Sequence, residues 1–252
     1  MKKRFAPRYL FLIFLQTFVF TVCLHTGRQL AQTLALSENL INLNSKQGET
    51  YLFKSEARTD YLPLMLHFVT QDNLAYCGVA SMVMVLNALE LSAPIAPEYV
   101  SFRLFTQDNF FDHPNTEALI TAETVSRMGM TLKQLAQLLE SYPVQAQVHH
   151  GEDLTLGEFR RLIVENLEQE NNFVLVNYLR STIEQERGGH ISPLAAYHQS
   201  SDRVLILDVA RYKYPPVWVE LEELWRATQT IDRVSGKTRG LLLVSPSHQS
   251  VR

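Results

Sequence analysis

The sequence predicts an α+β domain, a helical half packed against an antiparallel β-sheet, and three observations carry that expectation. The chain of 252 residues is 46% hydrophobic and 19% charged, with 10 glycines and 10 prolines. That is the composition of a folded globular protein and excludes disordered, collagen-like and coiled-coil chains. Apolar residues recur at helical spacing through the first half, then with period two or in short runs through the second. Helices first and strands later, without regular alternation, argue against parallel βαβ units. Elements segregated in this way leave a cleft between the two halves where chemistry can sit.

The first 31 residues stand apart. Lys2, Lys3, Arg4 and Arg8 precede an apolar run, YLFLIFLQTFVFTVCL, from Tyr9 to Leu24. A basic start before a short apolar core is the pattern of a secretory signal. The run falls short of the roughly 20 residues of a membrane span and is interrupted by Gln16, Thr17 and Thr21. The expectation is a signal peptide over residues 1–31, cleaved near Ala31 or Ala35, and a single domain over 32–252. The product is exported to the periplasm or the extracellular space, an uncleaved membrane anchor being the alternative. Cleavage would remove five basic residues and no acid, taking the formal charge from -3 to -8. It would also remove Cys23 and leave Cys77 as the lone thiol, either a buried small hydrophobe or a group with a task.

The elements of the expected domain follow in order. Residues from Leu36 to Leu66 read as an irregular opening segment with one short strand, Glu49–Lys54. Cys77–Leu91 is apolar nearly all round, the mark of a central buried helix, and Ser92-Ala93-Pro94 ends it. Glu98–Asn109 is ambiguous, and Thr116–Met128 reads as helical. Thr131 with Gln134, and Thr155 with Glu158, have the spacing of capping boxes at the starts of two amphipathic helices. Pro143 stops the first of these, and the second runs to about Glu170. Strands are expected at Asn172–Leu179, His190–Tyr197, Arg203–Val209 and Gly240–Ser245, with a helix near Leu221–Gln229.

Two cysteines exclude a disulfide scaffold and a Cys-only zinc or iron–sulfur site, and a charge of -3 argues against a nucleic-acid partner. His113 and the pair His149-His150 lack partners at ligand spacing and read as structural or surface groups, so no metal site is assigned. The chemistry concentrates at Cys77. At the first turn of the buried helix, unpaired N–H groups and the helix dipole favour a thiolate. Gly78 allows close approach of a substrate. The side-chain amide of Gln71, six residues upstream, could join the Cys77 N–H in holding an oxyanion. A thiol nucleophile needs a base, and the base an orienting partner. His190 opens an apolar strand after Gly188-Gly189, and Asp208 ends the next one, so adjacent strands would bring their side chains together. The order Cys77, His190, Asp208, the thiol on a helix and the others on the sheet, is the papain arrangement.

The stretches AYCGVASMVMVLNAL (from Ala75), GGHISPLAAYH (from Gly188) and DVARYKYPPVWVELEELWRA (from Asp208) resemble the catalytic domain of phytochelatin synthases, a papain-fold branch that acts on glutathione. The likeness runs from about Asn44 to Ser245. It implies a papain-like fold with the active site in the cleft. It also places the family's catalytic cysteine, histidine and aspartate on Cys77, His190 and Asp208, and its oxyanion glutamine on Gln71. The implied reaction cleaves the Cys–Gly amide, releases glycine and forms a γ-glutamylcysteinyl thioester. Water resolves that thioester to γ-glutamylcysteine, and a second glutathione resolves it to a phytochelatin. The chain resembles the short prokaryotic members, which act mainly as hydrolases and lack the cysteine-rich C-terminal region of plant and yeast forms.

Glutathione is then the expected partner, with no nucleic acid, no stable membrane association after cleavage, and room for a homodimer. No cofactor is required for the chemistry; Cd or Zn enters as a metal–glutathione substrate or an activator. The γ-glutamyl end carries a carboxylate and an ammonium, which call for a local cation and a local acid. Asn177, Arg180, Gly189, Asp232 and Arg239 are the candidates for substrate binding. Two rivals stand beside this reading. One is a papain-like endopeptidase of the bacteriocin-leader type, for which the KYPP segment has no reason. The other is a non-catalytic exported binding protein for thiols or metals.

Overall fold

The computed structural model describes residues 33–247; the expected signal peptide, residues 1–31, lies outside them. Among the described residues, seven strands form one antiparallel sheet in the order β1-β6-β5-β4-β3-β7-β2. The strands are β1 (Ile41–Asn42), β2 (Val144–His150), β3 (Phe173–Leu179), β4 (Gly189–His198), β5 (Arg203–Ile206), β6 (Val217–Glu220) and β7 (Gly240–Pro246). The helices are α1 (Lys46–Lys54), α2 (Tyr61–Leu66), α3 (Cys77–Ala88), α4 (Pro114–Leu119), α5 (Ala122–Met128), α6 (Leu132–Leu139), α7 (Leu156–Leu167) and α8 (Leu221–Thr228). The α+β class holds.

The helices do not all keep to one side. On one face of the sheet, Phe173, Leu175, Leu205 and Leu242 pack with Val79, Met82 and Val83 of α3 and Leu135 and Leu138 of α6. On the other, Val174, Val176, Val204 and Leu241 pack with Phe159 and Ile163 of α7 and Leu221 and Leu224 of α8. A strand covered on both faces needs apolar residues at every position. That is why β3 is a continuous apolar run broken by Asn177 alone.

Helix α3 takes nine of its 12 residues into the core, from Gly78 to Leu86, as its all-round apolar sequence requires. Both capping boxes are formed: Thr131 and Gln134 bond reciprocally at the start of α6, and Thr155 and Glu158 at the start of α7. The opening segment differs from expectation. Glu49–Lys54 is the end of helix α1, because the Ser45 side chain accepts the Gly48 N–H and starts a helix ahead of it. Its β-prone Tyr51 is used in packing, stacked on His198 at 4.3 Å and edge-on to Trp218 at 5.8 Å. The segment expected to be helical over Thr116–Met128 is two helices, broken where Thr121 caps α5.

Candidate active site

Cys77 is the first residue of α3, and the preceding Tyr76 supplies no side-chain cap. The backbone N–H groups of the first turn therefore face outward at the positive end of the helix dipole. The helix is stitched to β4 by Ser81, whose hydroxyl donates to the Cys77 carbonyl at 2.7 Å and also lies 3.3 Å from the Ile191 carbonyl oxygen. A Cβ at position 78 would stand 2.6 Å from the sulfur of Met130, so the glycine lets that side chain pack against the first turn of the helix.

Strand β4 opens beside β3, with His190 opposite Tyr178, whose ring lies edge-on to the imidazole at 5.7 Å. Strand β5 pairs with β4 on the other side and ends at Ile206, two residues before Asp208. The ladder continues as Leu207 N–H donates to the Pro193 carbonyl, which carries Asp208 to the start of β4. His190 Nε2 lies 2.8 Å from Asp208 Oδ1 and 3.0 Å from Ser192 Oγ. A carboxylate only accepts, so Nε2 carries the proton and Nδ1 is left to meet the Cys77 thiol. A thiol, an imidazole and a carboxylate that are 113 and 18 residues apart in sequence thus stand in line.

The electrostatics favour the ion pair. Burial pushes the half-buried Cys77 thiol up, but the hydrogen bond and charge of His190, the Ile191 backbone and Arg180 outweigh it and hold the thiol below its ordinary value. Burial works against a charged His190, and the Asp208 carboxylate reverses this and raises it. Asp208 is fully buried, a cost that His190 and Arg180 overcome, and its pKa falls well below the usual carboxylate range.

The triad opens into a cleft of about 560 Å³. Cys77, His190 and Ile191 lie in its lining with Asn177, Gly189, Asp232 and Arg239 from the sheet side. Ile120, Met128 and Met130 line it from the helical side. Arg239 donates from Nη1 to Asn177 Oδ1 at 2.9 Å, and its buried Nε has no partner. The guanidinium lies flat against Gly189, where a Cβ would be 2.5 Å from Nη1. No carboxylate forms an ion pair with Arg239 among the described residues, and the half-buried guanidinium lines the open cleft. Burial lowers its pKa, against the opposing pull of Asp232 and Cys77.

Of the expected substrate contacts, Asn177, Gly189, Asp232 and Arg239 line the cleft and Arg180 does not. Arg180 is 3% exposed, with both terminal nitrogens committed to Asp208, and this corrects its expected place on the substrate. Gln71 is buried; its Nε2 donates to the Asn73 carbonyl at 2.6 Å, which leaves that nitrogen one further N–H. His113 Nδ1 accepts the Asn115 N–H at the start of α4, and His150 Nδ1 lies 2.7 Å from the Thr238 carbonyl. Ser192 is not legible from the sequence, where a serine two residues along a strand from a histidine carries no signal of its own.

A reactive-type thiol at a helix start, an imidazole oriented by a carboxylate and a charged cleft beside them define a site equipped for acyl transfer through a cysteine. Comparison with known proteins assigns the branch. The chain belongs to the phytochelatin synthase family, whose model matches residues 31–241. It is 34% identical over 189 residues to glutathione gamma-glutamylcysteinyltransferase 1 of Arabidopsis thaliana, covering 75% of this chain and 38% of that protein. It is 35% identical over 185 residues to glutathione gamma-glutamylcysteinyltransferase 3 of Lotus japonicus, covering 73% and 37%. With the glutathione gamma-glutamylcysteinyltransferase of Schizosaccharomyces pombe it shares 28% identity over 217 residues, 84% and 50% of the two chains. The matches span half or less of these relatives' length.

Proposed function

We propose that this protein cleaves the Cys–Gly amide of glutathione through Cys77 and passes the γ-glutamylcysteinyl group to water or to a second glutathione. The observation that carries the reading is the cleft itself. It brings together the Cys77 thiol, the guanidinium of Arg239, which forms no ion pair among the described residues, and the carboxylate of Asp232. A free α-carboxylate and α-ammonium, the two charges of a γ-glutamyl end, complement that pair. Asn177 steadies Arg239 and offers its amide hydrogens to the same head group.

In the first half-reaction the Cys77 sulfur attacks the carbonyl carbon, with the backbone N–H of Cys77 and the spare N–H of Gln71 taking up the oxyanion. The C–N bond breaks as the imidazolium of His190 gives its Nδ1 proton to the departing glycine amine. A γ-glutamylcysteinyl thioester is left on Cys77. In the second half-reaction water loses a proton to His190 as its oxygen attacks the thioester; the C–S bond breaks and γ-glutamylcysteine leaves. A second glutathione attacking through its amine gives the longer peptide by the same proton path. Asp208 keeps the imidazole in the tautomer that both halves need.

The test is release of free glycine from glutathione by the wild-type protein and by Cys77→Ala, with folding of both checked by circular dichroism. Glycine from the wild type alone is the expected result. Cleavage of longer peptides without glycine release would favour the endopeptidase, and tight glutathione binding without turnover would favour the binding protein. Longer γ-glutamylcysteine oligomers on addition of Cd²⁺ would assign transfer, with the metal–thiolate complex as substrate. The basic and apolar start of the sequence supports export, and cell fractionation tests it. No helix among the described residues is long and apolar enough to cross a membrane.

A further inference from the structure

Arg180 lies outside the cleft, and its surroundings give it a different task. It follows β3 directly and is held on every side. Nη1 donates to Asp208 Oδ2 at 2.8 Å and Nη2 to Oδ1 at 2.9 Å, a two-pronged grip on one carboxylate. Nη1 also donates to Gln185 Oε1, and the guanidinium sits 5.3 Å from the centre of the Tyr214 ring. The loop that returns to β4 closes on this residue: Arg180 N–H donates to the Gly188 carbonyl, and its own carbonyl accepts from Gln185. The Tyr214 hydroxyl accepts the Glu186 N–H at 2.8 Å, and Lys213 pairs with Glu186 at 2.7 Å. Tyr214 therefore walls the guanidinium, and Lys213 beside it ties the same segment to the loop before β4.

A neutral amide in the place of Asp208 would orient His190 without adding charge. A buried carboxylate orients it too, but adds a negative charge beside a thiolate in a region where charges are weakly screened. With Arg180 in place, the thiolate, imidazolium, carboxylate and guanidinium sum to zero. We propose that Arg180 is a positioning residue that acts through Asp208: clamped on both oxygens, it cancels the carboxylate's charge at the Cys77–His190 pair and fixes the plane in which the imidazole is held. The inference rests on Cys77 being the nucleophile of the proposed reaction. The other groups facing the pair are Tyr178 from β3, Tyr212 and Tyr214 after β5, Asp232 and Arg239 before β7, and Arg127 across the cleft. Arg180 is the one cation among them bonded to Asp208.

The test uses Arg180→Gln, Arg180→Lys and the double variant Arg180→Gln/Asp208→Asn. Cys77 alkylation by iodoacetamide is followed against pH in the free protein, alongside kcat and KM for glycine release. Removing the cation in Arg180→Gln should move the alkylation midpoint up by about one pH unit. It should lower kcat at least about tenfold, with KM changing less than about threefold. The double variant, which removes both charges, should bring the midpoint back toward wild type. Arg180→Lys keeps the charge and loses the two-pronged grip, so its midpoint should stay near wild type while kcat falls. An unmoved midpoint in Arg180→Gln, or a further rise in the double variant, overturns the proposal. So does a raised KM with kcat retained, the result a substrate anchor would give. If Arg180→Gln fails to fold, Arg180→Lys decides on the same midpoint and the same split between kcat and KM. Alkylation needs no glutathione, so failure of the wild type to release glycine sinks the proposed activity and leaves this test readable.

Discussion

Gly189→Ala isolates the role of Arg239 without touching a polar group. The substituted Cβ would stand 2.5 Å from Arg239 Nη1 and 2.9 Å from both Cζ and Nη2. Ordinary contact begins near 3.5 Å, so the guanidinium must retreat by about 1 Å. Only the far end of a flexible side chain has to move, and Gly189 has no left-handed backbone conformation to be strained by a Cβ. The fold should lose less than about 1 kcal/mol. The site should lose more. The retreat pulls Nη1 off Asn177 Oδ1 and misplaces the cation for the substrate carboxylate. A charge-assisted hydrogen bond is worth about 1.5–3 kcal/mol. That corresponds to a fall in kcat/KM for glycine release of roughly 10- to 100-fold. The assay is steady-state glycine release across glutathione concentrations, paired with thermal melting. Gly157→Ala, on α7 with nothing within 4 Å of the new Cβ, is the control and should keep full activity. A folded Gly189→Ala protein with wild-type kcat/KM would refute the assignment of Arg239 to the substrate.

Two further outcomes concern stability. Asp60 is 1% exposed, its Oδ2 has no hydrogen-bond partner, and burial pushes its pKa up to about 9. Between the unfolded value near 3.9 and that raised value, the folded state binds the extra proton, so this residue makes the protein less stable as pH rises. Asp60→Asn should therefore gain Tm over wild type by a margin that widens from pH 4 to pH 9, and a constant margin would contradict the reasoning. Thr155→Ala removes the acceptor for the Glu158 N–H at the start of α7 and should cost about 1 kcal/mol in chemical denaturation, with glycine release unchanged.

The legibility of the molecule followed the range of the interactions involved. Helix α3 could be read because an apolar surface all round has no other stable place than a core, and α6 and α7 because Thr131 with Gln134 and Thr155 with Glu158 are local contacts. Strand β3 is likewise plain from an apolar run that only Asn177 interrupts. Helix α1 departs from the strand expected there, because Thr50, Tyr51 and Phe53 favour strands by local propensity while Ser45 and the packing of Tyr51 on His198 and Trp218 decide otherwise. Strands β1, β2 and β6 carry little local signal. Val144, Ala146 and Val148 do alternate, but the run is short and half polar, and it becomes a strand by pairing along its whole length with β7. The cleft residues divide in the same manner: Asn177 and Arg239 could be nominated by residue type, but Arg180, equally plausible by type, proved to face Asp208.

What the amino-acid order determined alone was the α+β class, the buried helix beginning at Cys77, and a thiol, an imidazole and a carboxylate in an order suited to acyl transfer. Those follow from periodicity, capping and residue chemistry, which act over a few residues. Only the tertiary structure decided which cation serves the carboxylate and which serves the cleft. Two arginines 59 positions apart in sequence are alike in charge and length, and their partners are set by strand register and by which side of a short loop closes over each guanidinium. Such pairings depend on distances across the sheet, and a charge in sequence carries no information about the direction it will face.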